Sequence, residues 1–401
     1  MIGRSSRPRA ATNHGGGGGG PSSSSAAVPS PARLRRRAPT TSAQPRRHRR
    51  RLVVASSSSP NDVFALDFDG VLVDSEPEVS FAALDAACSF DDGEWRAAVI
   101  GREGQPQLEE KRRAALLAAL RRTRPALVRG YEAVVMARLL AEALDEGGHH
   151  HVDATVARIL SDWPTELDAA MTRFGFGGGG GESGGESTTP SDISPERRAP
   201  LEKHFERRRK EALTSRPDEF FALNVPYASR GDALRSAVGD ADAAGPLYFV
   251  SSKKAERVSA LLQRHFPGVG GVEDHEASPR LFCSLLPPEE QKVRALREIM
   301  QRPVASRAER LHFVDDRLDT LLAVAEDEEL RERYTLYLAS YGYCSPAEVE
   351  EARRRHSGVV RILRSPDDLV ELLRWGLFAG GVNDGCEPTE EEKQSEGWLS
   401  S

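Results

Sequence analysis

Two aspartates two positions apart, Asp67 and Asp69, are the residues of this sequence best suited to chemistry. They stand in residues 67–72, which read DFDGVL, at the end of a short apolar run. Side chains of a strand alternate with a period of two, so both carboxylates are expected on one side where the strand ends. Carboxylates this close repel each other unless a cation lies between them or one is protonated. Oxygen ligands of this kind favour Mg²⁺, and the sequence therefore predicts a magnesium-dependent acidic site.

Polar residues also close or follow later segments of the chain: Ser251, Lys292, Asp315 and Asp316. Ser251 ends the apolar run 247–251, and the aspartate pair follows the run 311–314. Lys292 precedes a helical pattern at 293–300. In a doubly wound sheet, ligands bind at the carboxyl ends of the strands, which is where Asp67 and Asp69 are expected.

The apolar runs predict a parallel sheet with strands at 63–69, 247–251, 311–314 and 336–340. Helical patterns at 254–265 and 317–325 follow the second and third runs. Strand–helix alternation is typical of an α/β fold with a doubly wound parallel sheet and helices on both faces.

Residues 67–78, DFDGVLVDSEPE, resemble the opening motif of the haloacid dehalogenase-like hydrolases. The resemblance is to the branch of phosphoglycolate phosphatase and β-phosphoglucomutase, in a plant or algal plastid form. The family's other motifs follow in order, with VSSK at 250–253, the lysine at Lys292 and VDDR at 314–317. The resemblance extends over residues 62–79 and 245–365. It implies a Rossmann-like core with an inserted helical cap.

The resemblance implies two roles for the first aspartates. Asp67 would be the nucleophile that forms an aspartyl-phosphate. Asp69 would protonate the leaving oxygen and then activate water. The dehalogenases of this superfamily lack the second aspartate, so its presence favours phosphoryl chemistry.

It also implies that Ser251 hydrogen-bonds the phosphoryl oxygens and that Lys292 neutralises Asp67 and the phosphate. Each has a simpler alternative. Ser251 would serve equally as a strand-end cap, and Lys292 as a solvated residue of a first helical turn. Lys253 is a rival for the role of the phosphate lysine.

For the metal, the resemblance implies that Mg²⁺ is bound by Asp316, by Asp67 and by the backbone carbonyl of Asp69. Asp315 would be a further or outer ligand. The alternative for the aspartate pair is capping of the next helix, and both roles are compatible. Asp319 is predicted to be a solvated helical acid.

The predicted core comprises residues 62–75 and 240–375, and residues 76–239 form a helical cap insert. Within the insert, helical patterns cover 109–120 and 131–144. A Gly-rich segment at 175–195 is predicted to be a disordered loop, and residues 380–401 a disordered acidic tail. The insert is also predicted to be interrupted by a loop at 147–151, which contains a histidine triplet and is unsuited to metal because no spaced partner follows.

The N-terminal segment 1–61 holds twelve Arg, no Lys and no acidic residue, with runs of Ser and Gly. An Arg-rich, Ser-rich and acid-free N-terminus is typical of an organellar transit peptide. We expect the chloroplast stroma, with the mitochondrion as second choice. A disordered basic tail or a nucleic-acid-binding arm is the alternative.

The charge of the rest of the chain excludes several classes of function. The whole chain carries −6, so residues 62–401 carry −18 once the twelve Arg are set aside. A body this acidic is unsuited to binding DNA or RNA. The four cysteines are widely spaced, which argues against a zinc ribbon or a disulfide framework. No apolar run reaches the length of a membrane span.

Together these features predict a magnesium-dependent phosphatase that acts on a small phosphorylated metabolite. A phosphomutase would share Asp67 and Asp69, and bisphosphate-dependent isomerisation would distinguish it from a phosphatase. A catalytically silent scaffold of the same fold is the third hypothesis. The long insert favours a scaffold, whereas the retained buried carboxylates argue against it because they cost stability.

Overall fold

The structure is a computed structural model that describes residues 62–90, 95–96, 99, 106–176, 193–245 and 247–375. All of them belong to one compact unit, Ala55–Ser401. The predicted transit peptide, most of the predicted Gly-rich loop and the predicted acidic tail lie outside the described residues. Those predictions, and the predicted domain boundaries, stay predictions.

Eight strands are present in the described residues, six of them in one parallel sheet. In chain order they are β1 Asp62–Leu66, β2 Val73–Asp74, β3 Val225–Pro226, β4 Leu247–Val250, β5 Leu281–Phe282, β6 Arg310–Asp315, β7 Tyr334–Ala339 and β8 Val360–Leu363. The large sheet has the order β5-β4-β1-β6-β7-β8, and every neighbouring pair is parallel. The chain thus winds outward in both directions from β1, which places the topological switch point at β1.

Helices cover both faces of this sheet. Alternate residues of β1 face opposite sides, with Phe64 and Leu66 in one apolar cluster and Val63 and Ala65 in another. The first face carries α7 Ala233–Ala244, α8 Ala255–His265 and α13 Pro366–Trp375, and the second carries α9 Pro288–Met300, α10 Leu318–Glu326, α11 Glu328–Arg333 and α12 Pro346–Arg355. Burial on both faces explains why every residue of β1 is buried. The predicted α/β class with a parallel sheet is confirmed.

Among the described residues, six α-helices of defined extent lie between β2 and β3 and form a helical insert. They are α1 Glu76–Ser89, α2 Pro106–Thr123, α3 Glu132–Ser161, α4 Trp163–Met171, α5 Pro195–Ser215 and α6 Pro217–Ala222. Most of them share an apolar core of their own that includes Val135, Ile159 and Phe205. Antiparallel pairing of β2 with β3 brings the two ends of the insert together beside the end of β1.

Two local predictions need correction. The predicted loop at 147–151 is a kink within α3, where Gly147 and Gly148 leave helical geometry while the histidine triplet stays helical. The helix predicted at 293–300 begins five residues earlier, at Pro288. A proline fits the first turn of a helix because its missing N–H would have no partner there. Within the described residues, no helix has both the length and the apolar character needed to cross a membrane.

Candidate active site

Asp67 is the first residue after β1 and lies at the centre of the sheet's carboxyl edge. Its backbone N–H donates to the Val314 carbonyl at 2.8 Å, which continues the pairing of β1 with β6. Its Oδ1 accepts a hydrogen bond from the Phe68 backbone N–H at 2.7 Å. Phe68 is itself fully buried, so the turn that carries the carboxylate is anchored in the core.

Two further carboxylates reach the same place from β6. Asp315 ends the strand and Asp316 follows it, and both side chains are buried. One oxygen from each of Asp67, Asp315 and Asp316 lies within 4.8 Å of the other two. The sequence predicts these three aspartates at strand ends, and the structure shows that the two strands are neighbours and brings the aspartates together.

Lys292 joins two members of this group of aspartates. Its Nζ donates to Oδ2 of Asp67 at 2.8 Å and to Oδ2 of Asp315 at 2.7 Å. The side chain projects from the second turn of α9 and is only 2% exposed. The alternative of a solvated lysine is therefore wrong, as is its placement before the helix.

The electrostatics of the aspartates reflect burial and crowding. Burial raises the pKa of Asp67 to about 7. The charge of Lys292 lowers this pKa, and the charges of Asp315 and Asp316 raise it. Burial and the neighbouring Asp315 raise the pKa of Asp316 to about 6. The two carboxylates hold the pKa of Lys292 above its usual value despite burial. Three carboxylates facing one ammonium leave an excess of negative charge that a divalent cation would balance.

The donor set fits Mg²⁺. All three candidate ligands are carboxylate oxygens, which hard cations prefer over imidazole or thiolate. Asp316 is also fixed in place, because its Oδ2 accepts a hydrogen bond from the Tyr343 backbone N–H at 2.8 Å. Gly70 and Gly342 press against Asp316 so closely that a Cβ atom at either position would overlap it.

Asp69 lies apart from the three aspartates. Its Oδ1 is 3.0 Å from Nζ of Lys253, an ion pair that is not aligned as a hydrogen bond. Burial alone would raise the pKa of Asp69, but nearby groups, with Lys253 the strongest of them, hold it below its usual value. The predicted metal contact through the Asp69 carbonyl stays a prediction. Of the two candidate lysines, Lys292 contacts the predicted nucleophile and Lys253 contacts Asp69.

Ser251 follows β4, the strand beside β1, and is buried at the same edge of the sheet. Its Oγ accepts a hydrogen bond from the Lys253 backbone N–H at 3.2 Å. This contact is the one expected of a strand-end cap. The predicted phosphoryl contact stays a prediction, and Asp319 is exposed on α10, as predicted.

Sequence reasoning missed Tyr343, which follows β7. Its hydroxyl accepts from the backbone N–H groups of Ser75 and Glu76 at 2.7 and 3.0 Å and donates to Asp74 at 3.0 Å. Tyr343 therefore ties Asp316 to the start of α1. The position of Tyr343, just beyond a predicted strand of the same sheet, was the available signal.

The insert also reaches the site. The guanidinium of Arg124, which follows α2, lies 3.7 Å from the centre of the Tyr343 ring. Arg317, next to the aspartate pair, donates to the Pro125 carbonyl at 2.6 Å. These contacts place the segment after α2 against the carboxyl edge of the sheet.

Comparison with known proteins adds no assignment. The scan against models of protein families found no match, and neither the search of curated proteins nor that of solved structures found a similar one.

Proposed function

We propose that this protein is a magnesium-dependent phosphatase that hydrolyses a small phosphorylated metabolite through an aspartyl-phosphate on Asp67. The observation that carries the proposal is the position of Lys292, whose Nζ bridges Asp67 and Asp315 at 2.8 and 2.7 Å in a buried group of three carboxylates. A lone buried carboxylate is a poor partner for a phosphate anion, and an adjacent fixed ammonium removes much of that repulsion.

In the first step a carboxylate oxygen of Asp67 attacks phosphorus. The bond from phosphorus to the ester oxygen breaks, and that oxygen leaves with a proton from Asp69. The place of Asp67 at the switch point of the sheet supports this role, because ligands of such sheets bind beyond the carboxyl ends of the strands there.

In the second step the Asp69 carboxylate takes a proton from water, and the resulting hydroxide oxygen attacks phosphorus. The bond to the Asp67 oxygen then breaks, which frees inorganic phosphate and restores the carboxylate. The lowered pKa of Asp69 keeps its carboxylate ionised, and a base must be ionised before it can accept a proton. For the first step the incoming phosphate anion favours the protonated form of Asp69, since a nearby like charge raises a carboxyl pKa.

Asp67, Asp315 and Asp316 would hold Mg²⁺, and the Asp69 carbonyl is the further ligand that the sequence resemblance implies. When bound, the ion supplies positive charge against the phosphoryl oxygens. Lys292 keeps Asp67 oriented, and Tyr343 keeps Asp316 in place through its backbone N–H.

The helical insert supports a small substrate. Arg124 and the Pro125 carbonyl bring the insert against residues of the site, so bulky esters would have to displace these contacts. A covered site also excludes water, which strengthens electrostatic interactions with the phosphate.

The test is a panel of phosphorylated metabolites offered to the full chain with Mg²⁺ and with a chelator. We expect phosphate release that needs Mg²⁺ and favours small esters. An Asp319→Ala variant is the matched control, since that acid lies on the same loop–helix segment but is exposed. Phosphate release that is unchanged by the chelator, or absent from the whole panel, would refute the proposal.

A further inference from the structure

A chain of buried and partly buried charges runs from Asp69 into the helical insert. Its members alternate in sign along the path Asp69, Lys253, Glu78, Arg209, Glu206 and Arg257. The described N–O distances along it lie between 2.5 and 3.8 Å. Asp69 is the one member that the proposed reaction uses.

Lys253 is the second member of the chain and is held on three sides. Its Nζ lies 3.0 Å from Asp69 and 3.8 Å from Glu78, and it donates to the Asn224 side-chain oxygen at 3.3 Å. The residue is only 3% exposed, so solvent contributes little to its position. Asn224 is fixed in turn, because its amide donates to the Phe220 carbonyl at 2.8 Å.

Glu78 would compete with Asp69 for this lysine if it were free. It is instead engaged by Arg209, whose guanidinium donates to both carboxylate oxygens at 2.7 and 2.5 Å. Both side chains are buried, and a bidentate pair of this kind is geometrically specific. Arg209 therefore leaves Lys253 closer to Asp69 than to Glu78.

The helix that carries Arg209 is docked on the sheet domain by the next pair of the chain. Glu206, one turn earlier on α5, accepts from Arg257 at 2.9 and 3.1 Å. Arg257 belongs to α8 on the sheet and is 1% exposed. The position of α5 thus depends on an ion pair to the sheet, and the position of Lys253 depends on α5.

Stability alone does not account for such a chain. Burying ion pairs costs desolvation energy, and apolar residues of similar volume often stabilise a fold at least as well. We propose that Lys253 is a positioning residue that aims the Asp69 carboxylate at the attacking water, and that Glu78 and Arg209 hold Lys253 there while α5 is docked. This inference rests on the proposed function and adds the residues that align its base.

The test uses p-nitrophenyl phosphate as substrate for the full-length protein in the presence of Mg²⁺. Nitrophenolate leaves without needing much help from an acid, so formation of the aspartyl-phosphate should survive the loss of the lysine. Hydrolysis of that intermediate needs Asp69 as a base. A misaligned catalytic group costs about 100-fold in rate. We expect Lys253→Met to release about one nitrophenolate per protein rapidly and then to turn over about 100-fold more slowly than the wild type.

Variants of Arg209 test whether the helical insert holds Lys253 in position. In Arg209→Met, the freed Glu78 carboxylate should draw Lys253 away from Asp69 and slow the second step by about tenfold, again after a burst. Adding Glu78→Gln to this variant removes the competing charge and should restore turnover to within about threefold of the wild type. Arg207→Met is the control, because Arg207 lies on the same helix but pairs with Glu211 at the surface.

The outcomes separate this inference from the proposed function. A wild type that releases neither nitrophenolate nor phosphate from any ester of the metabolite panel refutes the function. A wild type that turns over, with a Lys253→Met variant that is slow from the start and shows no burst, refutes the positioning role alone. Should Arg209→Met fail to fold, Arg209→Lys and melting curves of each variant take its place. A failure of Glu78→Gln to rescue either Arg209 variant refutes the role of the insert.

Discussion

Gly70 lies so close to Asp316 that no side chain fits between them. A Cβ atom at Gly70 would overlap the Asp316 carboxylate, and the residue has a φ of +81°, a conformation that side chains disfavour. The absence of a side chain at Gly70 therefore leaves room for the Asp316 carboxylate in its observed position.

We expect Gly70→Ala to displace Asp316 and to weaken magnesium binding. The substitution should also cost about 1–2 kcal/mol in stability from the positive φ alone. Magnesium titrations followed by melting temperature would measure both effects. Gly358→Ala is the control, because a Cβ atom there meets nothing within 4 Å. If Gly70→Ala binds Mg²⁺ as the wild type does, the packing of Gly70 on Asp316 is irrelevant to the metal.

Asp67→Asn should abolish turnover without unfolding the protein. The amide preserves the shape of the side chain and removes the proposed nucleophile, so phosphate release should fall by several orders of magnitude. The fold should survive because asparagine has the same shape as aspartate and because Lys292 keeps its ion pair with Asp315. Steady-state phosphate release and a melting curve check the two expectations. Activity within tenfold of the wild type would exclude a covalent intermediate on Asp67.

The strands and their acidic ends were predictable from the sequence because their signals are local. Asp67 and Asp69 stood out by their spacing at the end of an apolar run, whereas Asp315 and Asp316 were singled out by the resemblance of residues 314–317 to a family motif. The order of strands in the sheet places Asp67 beside this pair. The position of Lys292 was harder to predict from the sequence. Pro287 and Pro288 before it are typical of a loop, but Pro288 is the first residue of α9.

The chain of ion pairs was not predictable because it is not local. Glu78 and Arg209 are 131 residues apart, and nothing near either residue in the sequence indicates the partner. Arg209 stands among several arginines of α5, and one of them, Arg207, pairs with Glu211 at the surface. Burial by tertiary packing alone distinguishes Arg209 from its neighbours.

The N-terminal segment gives a prediction that does not depend on the fold. Residues 1–61 lie outside the described residues, and from their composition of twelve Arg and no acidic residue we propose a transit peptide. A reporter fused to residues 1–61 should enter an organelle, with the chloroplast stroma expected first. Fluorescence microscopy of plant cells would locate it. A reporter that stays in the cytosol or collects in the nucleus would favour the basic tail or the nucleic-acid arm instead.

Magnesium should stabilise the folded protein through the three aspartates. A ligand that binds only the folded state adds RT ln(1 + [L]/Kd), or roughly 1–3 kcal/mol at ten- to a hundredfold above Kd. Asp316→Asn should abolish this stabilisation and, by relieving repulsion, raise the melting temperature of the metal-free protein. Asp319→Ala should behave like the wild type, because Asp319 is exposed. Melting curves across a magnesium titration measure the shift, and its loss in Asp319→Ala but not in Asp316→Asn would place the metal elsewhere.

The effect of magnesium should grow with pH, because the same carboxylates bind protons. In the metal-free folded protein the pKa is about 7 for Asp67 and about 6 for Asp316, whereas both groups ionise near about 3.9 when unfolded. The folded state therefore holds more protons between these values, so the contribution of both groups to stability is full below about pH 4 and is lost as the pH rises through about 7. Bound magnesium replaces these protons, and its stabilising effect must increase over the same interval. Melting temperatures with and without Mg²⁺ from pH 5 to 8 should diverge as the pH rises, in the wild type and equally in Asp319→Ala. A difference that stays constant over this range would mean that buried carboxylates are not the ligands.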